Sequence, residues 1–65
     1  MVLEIDVWRI AERLLEQHGP DASIHAALRA DELRSIGDFE GQVTWVRILR
    51  AVAARLSAES RGVVY

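Results

Sequence analysis

Leu3, Val7, Trp8, Ile10, Ala11, Leu14 and Leu15 recur at helical spacing, with Arg9, Glu12, Arg13, Glu16 and Gln17 between them, until Gly19-Pro20 breaks the run. This pattern constrains the fold more than any other feature of the chain. At 100° per residue the apolar stripe is roughly 160° wide, enough to pack against two other helices at once. Glycine accepts the left-handed conformation that closes a helix and proline cannot continue one, so the first helix is expected over about residues 4 to 18. Asp21 stands where an N-cap belongs, and a second helix is expected over 22 to 36, with Ala22, Ala26, Ala30, Leu33 and Ile36 on one face. Gly37 and Asp38 repeat the stop and start, opening a third helix over 39 to 58. In that helix Trp45, Ile48, Leu49, Val52 and Leu56 share a face, and Gly41 leaves room for a crossing helix.

The links at 19 to 21 and 37 to 38 are short, which favours antiparallel neighbours. The expectation is an all-α chain forming a compact antiparallel three-helix bundle, a single domain over 1 to 65 with a flexible tail at 59 to 65. Trp8 and Trp45 are expected as its large core residues. With 65 residues and no cysteine, neither a disulfide nor a thiolate metal site can hold the fold, so its core is thin. Stability on the order of 3 to 10 kcal/mol follows from typical values per residue.

Charge is uneven. Residues 1 to 38 carry eight acids against four arginines, and residues 39 to 65 carry two acids against four arginines. A basic third helix lying against acidic neighbours accounts for this within one chain. No run of apolar residues reaches membrane-spanning length, and the opening MVLEIDVW has acids where a secretion signal is basic. The expected location is therefore cytoplasmic. All basic residues are arginine, a usage associated with GC-rich bacterial genomes.

Three places carry residues of ligand or catalytic type. In S-I-G-D-F-E-G, residues 35 to 41, Asp38 and Glu40 alternate before Gly41 as in a calcium loop. The first ligand position is then Ile36 and the last Arg47, so the pattern fails at both ends. Capping of the third helix by Asp38, with Glu40 favoured by the helix dipole, explains the acids without an ion. His18, Asp21 and His25 are close in sequence but supply only the minimum set for zinc, and His18 falls on the apolar face of the first helix. Ser23, Ser35, Ser57 and Ser60 have no matching His and acid arrangement, no glycine-rich phosphate loop is present, and Glu12 and Glu16 are expected to pair with Arg9 and Arg13. These absences point away from an enzyme and from any cofactor, metal or small-molecule substrate.

The series W-R-I-A-E-R-L-L-E-Q-H-G-P-D-A, A-L-R-A-D-E-L and G-D-F-E-G followed by W-V-R-I-L resembles a group of short bacterial proteins classed as a domain of unknown function. The resemblance covers about residues 6 to 56 and implies a small helical protein with no activity to carry over. Its pattern would mark His18, Gly19, Arg29, Ala30, Asp31, Gly37, Asp38, Gly41 and Trp45. Of these, Arg29 and Asp31 lack an evident structural reason and form a candidate functional or fold-specifying polar pair.

Apolar residues exceed what one thin core can cover. Ile24, Ala27 and Leu28 point away from the main face of the second helix, and Phe39, Val43 and Val46 flank that of the third beside Arg47 and Arg50. The expected function is a helical interaction module, an adaptor, regulator or inhibitor of a larger protein, with self-association as a homodimer among its forms. Ile24, Leu28, Arg29, Asp31, Phe39, Val43, Val46, Arg47 and Arg50 are the expected partner-binding residues. Val63, Val64 and Tyr65 folding back over one patch would remove part of the surplus. The alternative is a small DNA-binding regulator using the arginines of the third helix. Against it, the start of that helix would present Asp38 and Glu40 to the phosphates.

Overall fold

A computed structural model describes residues 4–62, with the side chains of 4–58. The described chain is all-helical: α1 spans Glu4–His18, a single 3-10 turn Gly19–Asp21, α2 Ala22–Ser35 and α3 Phe39–Gly62. Because the first link is itself a helical turn, the backbone runs as two unbroken helical stretches, 4–35 and 39–62, with one break between them. The molecule measures 44 × 21 × 17 Å. At 1.5 Å per residue, the 24 residues of α3 account for about 36 Å of the long axis.

The 3-10 turn after α1 and the break before α3 both have local causes. Gly19 and Gly37 take φ of +58° and +81°, the left-handed region in which a Cβ is strained. At Gly37 the C-terminus of α2 closes in a Schellman arrangement. The Asp38 N–H donates to the Leu33 carbonyl at 2.8 Å and the Gly37 N–H to the Arg34 carbonyl at 3.1 Å. This places Ile36 at the helix end, 77% exposed, and corrects its expected place in the core. Asp21 also departs from expectation. Lying in the 3-10 turn at φ −77°, ψ −5°, it has a helical backbone and its side chain makes no capping bond to α2. The start of α3 is capped as its residues require, the Gly41 N–H donating to Asp38 Oδ1 at 3.0 Å. α3 continues to Gly62, so residues 59–62, expected in the tail, are helical; Val63, Val64 and Tyr65 lie outside the described residues.

α2 and α3 run antiparallel. Leu33 comes against Gly41, and Ile24, Leu28, Asp31 and Arg34 of α2 line one groove with Gln42 and Leu49 of α3. Ala22, Ala26, Ala30 and Leu33 form the buried stripe of α2, and its small side chains let the two backbones approach. Gly41 is part of the same contact: an added Cβ would lie 3.1 Å from Leu33 Cδ1 and 2.6 Å from the capping carboxylate of Asp38. α1 lies across α3. Glu4 at one end reaches Arg47, while Leu14 and His18 toward the other end line a shared concavity with Trp45.

The core residues are Val7, Ala11, Ala22, Ala26, Ala30, Leu33, Ile48, Ala51 and Val52. Five of these nine are alanine, and the largest fully buried side chains are Ile48 and Val52. Neither tryptophan is a fully buried core residue. Trp45 is partly buried and packs against the core, whereas Trp8 lies at the edge of α1 and is 38% exposed. The reason is geometric: α3 covers the Val7 and Ala11 side of the wide α1 stripe and leaves its other edge uncovered.

Candidate functional site

The second apolar face of α2 is formed by Ile24 and Leu28, one turn apart and 58% and 56% exposed. With Ala27, Asp31 and Arg34 they rim a shallow groove whose far side is Gln42 and Leu49 of α3. Its character is apolar with one charge of each sign at the rim.

Arg29 and Asp31 do not form a pair. Residues two apart on a helix point in nearly opposite directions, and Arg29 instead donates to Glu32 at 3.1 Å on the exposed surface. Arg29 and Glu32 border a concavity that also holds Leu14, His18, His25, Leu28 and Trp45. There the His18 and His25 rings stack with centroids 3.7 Å apart and planes inclined by 22°. Ring-nitrogen lone pairs lie in the ring planes, so stacked imidazoles do not aim both at one ion. Among the described residues no group of three or more His, Cys, Asp or Glu gathers as metal ligands.

The outer face of α3 begins at Phe39 and Val43, 67% and 59% exposed, and continues through the half-buried Val46 to the exposed Arg50. Glu40, Thr44 and Arg47 border it. Thr44 Oγ1 donates back to the Glu40 carbonyl at 3.0 Å. Arg47 donates to Glu4 Oε2 at 2.6 Å, an ion pair that ties the start of α1 to α3. A second tie joins Arg55 to Glu12 at 3.2 Å. This corrects the expected pairing of Glu12 with arginines of its own helix, a long-range contact that spacing within one helix cannot reveal.

Sequence reasoning overlooked the exposed edge of α1. Ile5 and Trp8 lie one turn apart and are both exposed, and Trp8 borders a concavity with Arg47, Arg50, Ala51 and Ala54. For Trp8 the signal was present as the excess width of the α1 stripe, whereas Ile5 lies outside that stripe. No buried side chain among the described residues is polar or charged, and no helix among them is long and apolar enough to cross a membrane.

Comparisons of the chain with family models, with curated proteins and with solved structures give no match. The geometry is thus the basis of the functional reading. Among the described residues seven large apolar side chains, Ile5, Trp8, Ile24, Leu28, Ile36, Phe39 and Val43, are exposed, four, Val7, Leu33, Ile48 and Val52, are buried, and six more are partly buried against the core.

Proposed function

We infer that the chain is a small cytoplasmic protein-interaction module, working as a three-helix bundle and acting as an adaptor, regulator or inhibitor of a larger protein. One observation supports the reading: among the described residues seven bulky apolar side chains are exposed, while five of the nine buried core residues are alanine. Scattered exposed apolar residues are ordinary, but Ile24 with Leu28 and Phe39 with Val43 are paired one helical turn apart, the spacing of contact faces. Membership in the group of short helical bacterial proteins that the sequence resembles is proposed alongside and assigns no activity of its own.

The nucleic-acid alternative is the weaker reading. Arg47 and Arg55 each carry an acidic partner in Glu4 and Glu12, and the Asp38 carboxylate is committed to the N-terminus of α3, where a phosphate would have to sit. A catalytic role finds no support in the side chains described. The test is affinity capture with the tagged chain beside two variants, Ile24→Glu with Leu28→Glu, and Phe39→Glu with Val43→Glu. A partner held by the wild type and lost from one variant supports the module and names its face. Identical recovery by all three forms, with folding intact, refutes the reading.

A further inference from the structure

Phe39, Val43, Val46, Arg50 and Ala53 follow the alternating spacing of four and three residues that marks a coiled-coil seam. At 100° per residue this seam lies roughly opposite Ile48 and Val52, the residues α3 sends into the core. α3 therefore has two apolar faces, one covered and one not. We propose that a second copy of this chain occupies the uncovered face, the two α3 helices packing antiparallel about a two-fold axis. This rests on the interaction-module reading and names its partner.

Register and charge select that occupant. A two-fold axis between Thr44 and Trp45 pairs Val43 with Val46 of the second copy, and Val46 with its Val43. The same operation sets Phe39 against Arg50 of the second copy, a cation facing an aromatic ring. On the flank of the seam it brings Glu40 within one turn of the second copy's Arg47, and the symmetry makes each of these contacts twice. The Arg47 guanidinium has five N–H donors, enough to keep its bond to Glu4 and accept a second carboxylate as neighbour. A parallel pairing would instead set Arg50 against Arg50.

Sedimentation equilibrium of the full chain tests the pairing. The wild type forms a dimer, and Val43→Glu is monomeric with an unchanged helical circular dichroism spectrum. Glu40→Arg and Arg47→Glu each weaken association by about tenfold, because two attractive contacts become repulsive. Mixed in equal amounts, these two variants associate as tightly as the wild type, since every flanking contact between them is then Arg against Glu. Glu40→Arg leaves the Arg47 to Glu4 pair in place, so its effect reports the interface and not a loosened α1. A wild type that stays monomeric, a dimer that survives Val43→Glu, or no recovery on mixing overturns the proposal. A dimer lost only with Ile24→Glu and Leu28→Glu overturns it too, assigning self-association to α2. The interaction-module reading fails separately, when neither face retains any partner, this chain included.

Discussion

The joint between α2 and α3 offers a coupling measurement whose sign is set by one carboxylate. Asp38 Oδ1 accepts from the Gly41 N–H at 3.0 Å, while Oδ2 of the same group lies where a Cβ on residue 41 would be, 2.6 Å away. Gly41→Ala therefore has to swing the carboxylate aside and break the cap. Loss of an N-cap costs about 1 kcal/mol. The new methyl also presses Leu33, whose Cδ1 is 3.1 Å away and which is buried, costing about 1 kcal/mol more. Against this, alanine in place of glycine in a helix gains about 1 kcal/mol. The substitution should thus destabilise the wild type by about 1 kcal/mol, or roughly 4 to 8 °C in Tm for a domain of this size. Asp38→Ala alone should cost about 1 kcal/mol through the same cap. In that background the carboxylate is gone, so Gly41→Ala meets only Leu33 and its helix gain about offsets it. The double variant then sits about 1 kcal/mol below the wild type, where additivity would put it about 2 kcal/mol below. Urea denaturation followed by circular dichroism, at one fixed protein concentration, measures all four forms. Additivity within about 0.3 kcal/mol, or a Gly41→Ala protein more stable than the wild type, would refute the account of this joint.

Other outcomes follow from the fold. Ile48→Ala should cost roughly 2 to 5 kcal/mol, enough to abolish a cooperative melt in a chain this small, whereas Trp8→Ala at the exposed edge should shift the melt far less. Equal shifts in a thermal scan would show the core to be misassigned. Gly37→Ala should lower stability by roughly 1 to 2 kcal/mol because its φ of +81° strains any Cβ; a denaturation midpoint that rises instead would contradict the Schellman closure. Glu12→Gln should change stability by less than about 1 kcal/mol, since its pair with Arg55 is half exposed, and a small loss that disappears in high salt is the expected signature.

The existence of the helices and most of their ends were legible because their causes are local. The 3.6-residue period, Gly37 before Asp38, and the cap on α3 are decided within a few residues of where they act. Asp21 shows the limit of such reasoning. A residue of capping type became part of a 3-10 turn, where its backbone is helical and not in the extended conformation of a cap. The length of α3 beyond Ala58 was also missed, since Glu59, Ser60 and Arg61 continue a helix without adding to its apolar stripe.

What the sequence by itself determined is an all-helical chain with small residues along α2 and more apolar surface than one core could use. Which of those apolar residues ended inside was decided only by the tertiary arrangement. α1 lies across α3, so Val7 and Ala11 are covered while Trp8, at the edge of the same broad stripe, is left exposed. The ties from Glu4 to Arg47 and from Glu12 to Arg55 belong to that crossing as well. The physical reason is that periodicity records which way each side chain points from its own helix axis. Burial depends on the angle and height at which another helix passes, and only contacts between distant parts of the chain set those.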